Sequence, residues 1–308
     1  MCLIAFAIGT QPALPLLLAA NRDEHFNRPT QPLHRWPDRP GVWAGRDGRD
    51  GGTWLGLADN GRVALLTNVR STHTGPGARS RGELATRWLC GEQTLERFIA
   101  DLDPAAYAGF NLVVGDLHAG RWTWLCNRNP AAPHQGAATG LHRRELAPGV
   151  YGLSNAVLDT PWPKTRRLVA ALRAALPGAP APDTPAPASP ATDWTRPLQA
   201  ALADDRPAPV HRQPATGVDA ATEHVLSSPF VRWPGSGYGT RSSLILRVRR
   251  SAEQPATAGQ TGVAGQSNRA GSHLPAKWHP ELHAELHEWT HSPDGWCAHQ
   301  HTHHTLSF

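Results

Sequence analysis

A cysteine stands at position 2, directly behind the initiator Met1, and opens the apolar run Cys2-Leu3-Ile4-Ala5-Phe6-Ala7-Ile8. Removal of Met1 would leave a thiol and a free α-amine on one residue. Such a residue carries its own general base, because the unperturbed amine titrates at about 8 and the thiol at about 8.5. The competing reading is a small buried hydrophobe in a first strand, the commoner fate of a free cysteine. A charged cluster, Asn21-Arg22-Asp23-Glu24, closes the next apolar run. If the two runs pair antiparallel, Arg22 and Asp23 fall beside Cys2. The guanidinium would then favour the thiolate, and the carboxylate would orient the amine. Taken alone, the cluster also reads as a charged β-turn.

Three more polar clusters lie at the ends of apolar runs: Thr67-Asn68-Val69-Arg70, Ser154-Asn155, and Tyr238-Gly239-Thr240-Arg241-Ser242-Ser243. Asparagine amides and exposed backbone N–H groups at strand ends are what a developing oxyanion needs. Each is equally at home in a turn. A separate constellation sits near the C-terminus. His279, His283, His287 and His291 recur every four residues, and Cys297 is followed by His299, His301, His303 and His304. Helical spacing would stack the first four imidazoles on one face, where a pair can share a metal ion. Pro280 interrupts that helix, so weak adventitious metal binding is the favoured reading and no metal centre is assigned.

These residues need elements to hold them. Strands are predicted over 2–8, 16–20, 42–44, 53–57, 63–67, 111–114, 122–125, 150–154 and 243–248. The first two lack clean alternation, as strands covered on both faces do. Ser80 followed by Glu83 is a capping-box signature for a helix through Leu84–Leu89. Further helices are predicted at 93–101, 162–176 and 194–203. Strands early and late with helices between give an α+β or layered architecture, without the regular alternation of a doubly wound sheet. Pro177–Pro190, almost all Pro and Ala, and Ser251–His273 cannot supply a core.

The chain has 308 residues and 40% apolar content, enough for a sizeable core. Lys164 and Lys277 are its only lysines, so arginine supplies nearly all of the 30 basic residues. The net charge of +5 is spread along the chain without a basic block, which argues against a nucleic-acid partner. Cys2, Cys90, Cys126 and Cys297 form no C-x-x-C pair, and reduced thiols in a cytoplasmic protein are expected. The first twenty residues lack a positive n-region and are broken by Pro12 and Pro15, unlike a signal peptide, and no membrane span is expected.

The ordered motifs resemble a known family. Met1-Cys2, Asn21-Arg22-Asp23-Glu24, Gly51-Gly52-Thr53-Trp54-Leu55-Gly56, Thr67-Asn68-Val69-Arg70, Ser80-Arg81-Gly82, Gly109-Phe110-Asn111-Leu112, Leu153-Ser154-Asn155, Trp162-Pro163-Lys164 and Tyr238-Gly239-Thr240-Arg241-Ser242-Ser243 together look like the NRDE family, also called the transport and Golgi organization 2 family. That family is similar in turn to N-terminal nucleophile hydrolases of the choloylglycine hydrolase and penicillin V acylase type. The resemblance implies a four-layer αββα sandwich and a domain over residues 1–250, with a Pro/Ala-rich insert at 177–192. A linker at 251–273 and a His-rich segment at 274–308 would follow. It implies Cys2 as nucleophile, Arg22 and Asp23 flanking it at a spacing unlike that of the acylases, Asn68 and Asn155 at the oxyanion, and Arg241 as the late active-site arginine. The implied activity is hydrolysis of a non-peptide C–N amide, which requires no cofactor. The alternative is a non-catalytic protein that binds and traffics haem, acyl-CoA or lipid. The implied partner is accordingly a small-molecule amide, acyl or haem ligand.

Overall fold

The computed structural model describes residues 2–71, 75, 77–136, 140–176, 194–251, 281–294 and 301–308. The chain opens with an antiparallel pair, β1 (Cys2–Gln11) and β2 (Leu14–His25). It then crosses to a second sheet through β3 (Thr30–Arg35), β4 (Val42–Asp47), β5 (Leu55–Ala58) and β6 (Arg62–Asn68). Helices α1 (Gly82–Cys90) and α2 (Leu95–Ala100) come next, and β7 (Phe110–Asp116), β8 (Arg121–Cys126) and β9 (His142–Glu145) finish that sheet. β10 (Gly149–Leu153) returns to the first sheet and is followed by α3 (Pro163–Ala175), α4 (Arg196–Leu202) and α5 (Ala220–Val225). The short β11 (Arg232–Trp233), the long β12 (Tyr238–Arg250), β13 (Leu282–Thr290) and β14 (His301–Ser307) complete it.

The first sheet runs β10-β1-β2-β12-β13-β14, with β11 paired to β12, and the second runs β3 to β9 in chain order. All strand pairs within them are antiparallel. Alternation along each strand sends one set of side chains to each face. Ile4, Phe6 and Ile8 of β1 pack with Leu16 and Leu18 of β2 against Leu57 and Leu65 of the second sheet. Leu3, Ala5 and Ala7 turn the other way, onto Leu168 and Leu172 of α3 and Leu198 of α4. On the far side, Leu84 and Trp88 of α1 and Phe98 of α2 cover the second sheet. The result is the expected four-layer αββα sandwich, and it explains why β1 and the first ten positions of β2 show almost no polar alternation.

The predicted helix through His279, His283, His287 and His291 is not formed. Residues 282–290 make strand β13, which pairs with β12 and β14, and His279 lies outside the described residues. A four-residue step returns to the same face of a strand as well as of a helix, so the spacing could not separate the two. His287 stacks on His303 at 4.2 Å, and Trp289 stacks on His301 at 4.8 Å. The described part of the 274–308 segment is therefore two strands of the first sheet, not an appendage. Residues 177–192 and, apart from Ser251, 251–273 fall outside the described residues. Ser80 is not the cap of α1: Arg81 is, without a side-chain cap bond, and the Ser80 hydroxyl donates to Asp50 at 3.2 Å. Among the described residues no helix is long and apolar enough to cross a membrane.

One contact ties the sheets together through an ionisable group. Glu288 of β13 is buried between the sheets, and its carboxyl accepts the Leu33 amide of β3. Burial pushes that carboxyl up to about 7, against the hydrogen bonds from Leu33 and Ser242 and the charge of Arg22. Between pH 4.5 and about 7 the folded chain therefore holds a proton that the unfolded chain releases. Stability is fullest below that window and falls as the pH rises through it. Glu288→Gln should flatten the denaturation midpoint across this range, whereas an unchanged slope would place the titration elsewhere.

Candidate active site

Antiparallel pairing sets Cys2 directly opposite Arg22. Both lie on the strand face that carries Ile4, Phe6 and Ala20, so they end the inter-sheet layer where it opens to solvent. The opening is a cavity of about 360 Å³, walled by this end of β1 and β2, by the loop before β5, and by the segment leading into α1. Cys2, Arg22, Asp23 and Asn68 all line it. The wall is strongly charged, with arginines and carboxylates interleaved.

Arg22 is held rigidly although it is 5% exposed. Its guanidinium stacks over Trp54 at 4.2 Å and lies 3.7 Å from Glu24 and 3.6 Å from Asp47. Asp23, one residue on, turns its carboxylate to the Thr240 hydroxyl, which donates at 2.7 Å. Thr240 in turn accepts the Val231 amide at 2.8 Å. Beneath this pair, Asn21 is clamped by its donations to Leu202 and Pro229 and accepts from Ser243 at 2.6 Å. His291 lies 2.9 Å from the same hydroxyl, and burial lowers it to about 4, so it is neutral there at ordinary pH.

Burial pushes the Cys2 thiol above its ordinary value. The amino-terminal ammonium and Arg22 pull it back, while Asp23 and Glu24 push it further up. Cys90 and Cys126 are also free, and burial raises Cys126 to about 11, as for an inert structural thiol. Among the described residues Cys2 is the one cysteine that faces this cavity.

Asn155 is fully buried behind the wall. Its amide donates to the Asn68 carbonyl at 3.0 Å, and its own side-chain oxygen accepts from Ser154 at 3.3 Å. The same Ser154 hydroxyl lies 3.1 Å from the Cys2 carbonyl and shares its single hydrogen between the two acceptors, which ties the end of β10 to β1. A buried network fixes this junction from the second sheet. Thr67 donates to the Ser154 carbonyl at 2.6 Å, and Asn111 donates to Ala156 at 2.6 Å and to Thr67 at 3.1 Å. Asn155 thus touches the cavity wall through Asn68.

Arg241 lies elsewhere. A bulge in β12 between Thr240 and Ser242 leaves it without a partner in β2. Its guanidinium clasps the turn after β2, donating to the carbonyls of His25 (3.2 Å) and Arg28 and to the Thr30 hydroxyl (3.2 Å). It reaches the cavity through Arg28, which lines the wall and binds Asp47 at 2.6 Å and Asp50 at 2.8 Å. Trp54, Arg81 and Lys164 also belong to this neighbourhood. Their motifs stand out in the sequence, but isolated Trp, Arg and Lys residues carry no spacing that announces a role. Among the described residues no three of His, Cys, Asp and Glu are placed to hold a metal ion.

The sequence model of the family described as Transport and Golgi organisation 2 matches residues 1–257. Over 176 residues the chain is 38% identical to the Transport and Golgi organization protein 2 homolog of Bos taurus, covering 53% of this chain and 60% of that one. The Homo sapiens homolog is 36% identical over the same length and coverage. The chain thus spans about 60% of the length of the curated relatives it matches. Among solved structures it is similar to a Caenorhabditis elegans N-acylethanolamine-hydrolyzing acid amidase ortholog (TM-score 0.37, 8% identity, 56% of this chain and 79% of that one). It is also similar to a variant of the conjugated bile acid hydrolase of Clostridium perfringens (TM-score 0.35, 10% identity, 99% of this chain and 96% of that one). With the family match running from the first residue through β12, the chain belongs to the Transport and Golgi organisation 2 family.

Proposed function

We propose that this protein is an N-terminal cysteine hydrolase acting on a non-peptide C–N amide. The observation that carries the reading is Cys2 itself, paired with Arg22 at the mouth of the inter-sheet layer and facing a cavity large enough for a small molecule. Loss of Met1 would free the α-amine of Cys2 to take the thiol proton, directly or through water. The thiolate then attacks the amide carbonyl carbon. Backbone N–H groups near Asn68, a segment held by Asn155, would receive the negative charge on the carbonyl oxygen. Breaking the C–N bond releases an amine that takes the proton from the α-ammonium, leaving a thioester. Water attacks the thioester with the α-amine as base, releases a carboxylic acid and restores the thiol.

Intact mass combined with turnover tests this. The mature protein should lack Met1, and Cys2→Ala and Cys2→Ser should abolish hydrolysis across a panel of small amides. Retained Met1, or undiminished turnover in Cys2→Ala, would overturn the reading. A carrier of the same fold would shield Cys2 with its ligand and turn nothing over.

A further inference from the structure

The cavity beside Cys2 carries an arginine that, among the described residues, has no carboxylate at ion-pair distance. Five arginines line it. Arg22 faces Glu24 and Asp47, and Arg28 binds Asp47 and Asp50. Arg49 binds Asp50 at 3.2 Å, and Arg79 binds Glu83 at 2.6 Å. Arg81 differs. Among the described residues no carboxylate comes within ion-pair distance of it, and its guanidinium makes one hydrogen bond, to the Gly109 carbonyl at 3.2 Å. A guanidinium has five N–H donors, so most of this one's donor capacity is unspent.

Arg81 is also fixed in place. It caps α1, its carbonyl accepts the Leu84 amide at 3.0 Å, and Leu84, Ala85, Trp88 and Leu89 anchor that helix on the second sheet. Gly52 abuts Gly82 so closely that a Cβ there would stand 2.5 Å from the Gly82 backbone, which seats the helix start against the cavity wall. The positive end of the helix therefore faces the same space as the guanidinium. Burial lowers the pKa of Arg81, and the more distant charges of Cys2 and Glu24 partly hold it up.

We infer that Arg81 is the docking point for an anionic group of the ligand, so that the preferred substrates are amides that also carry a carboxylate. The planar fork of the guanidinium fits a carboxylate through two parallel hydrogen bonds. This deepens the hydrolase reading and rests on it for the word substrate, but the anion site can be tested without turnover.

The test uses alkylation of Cys2 by iodoacetate and by iodoacetamide, two reagents of similar size that differ in charge, read at Cys2 by peptide mass mapping. The ratio of the two rates cancels any change in thiolate fraction. In the wild-type protein iodoacetate should gain on iodoacetamide relative to a free cysteine, and the gain should shrink with added salt. Arg81→Gln should lower the ratio about tenfold, and Arg81→Lys, which keeps the charge but loses the fork, should fall between. A ratio unchanged in both variants, or a salt-insensitive one, overturns the inference. If the ratio falls as expected but the amide panel gives no turnover, the anion site stands and the hydrolase reading fails.

Discussion

Glu223→Ala should lower the folding stability of this protein by about 3–5 kcal/mol, the usual cost of stranding one partner of a buried ion pair. Arg70 and Glu223 are both nearly excluded from water, and the guanidinium donates to the Glu223 carboxylate at 2.6 Å and to Thr216 at 3.1 Å. The other carboxylate oxygen accepts the Thr216 amide at 2.8 Å and the Thr216 hydroxyl. Burial lowers the pKa of Arg70, and the charge of Glu223 is the largest influence holding it up. Without that carboxylate a desolvated cation remains. The damage would spread to the site, because the Arg70 amide donates to the Asn155 carbonyl at 2.8 Å. Urea midpoints compared with Glu223→Gln, which keeps the shape and loses the charge, should rank wild type above Gln above Ala. A wild-type midpoint in Glu223→Ala would refute the account.

Lys164→Met should act in the opposite direction and stabilise the protein by about 2–3 kcal/mol at pH 7. Lys164 is 2% exposed, and among the described residues its ammonium has no hydrogen-bond partner. Burial depresses it from 10.5 to about 8, partly countered by Asp23 and Cys2. The unfolded lysine therefore binds a proton in the window between about 8 and 10.5 where the folded one does not. The wild type should gain stability as the pH rises through that window, while Lys164→Met should not. The two should converge above it. A methionine variant less stable than wild type at neutral pH would show that the ammonium has a stabilising role not visible in its contacts.

Much of this arrangement was legible in the residues. Two apolar runs without alternation gave the doubly covered pair β1 and β2, and the charged cluster closing the second placed Arg22 across from Cys2. The helix over 162–176 emerged because Leu168 and Leu172 share one face, as they do in α3. Other parts depend on long-range pairing that local pattern does not encode. β3, with its polar Thr30–Arg35 sequence, is a strand because β4 offers it an edge. β13 looked helical because its histidine spacing serves both periods. α5 is too short to announce itself, yet it presents Glu223 to Arg70. Arg241 and Asn155 stand out in the sequence as polar residues at the ends of apolar runs. Their actual attachments, a turn in one case and the Asn68 carbonyl in the other, follow from a bulge and a strand end that only the folded chain specifies.

The bulge at Arg241 has a bearing on how such a site can change over generations. Thr240 faces Asp23 before it and Ser242 faces Arg22 after it, so the additional residue leaves the ladder on either side where a plain strand would have it. An arginine clasp on the 25–30 turn can therefore be gained or lost in one event, without moving Leu244 or Leu246 out of the inter-sheet layer. The cavity's edge can thus be altered there while the packing of Leu244 and Leu246 holds the strand beneath it in place.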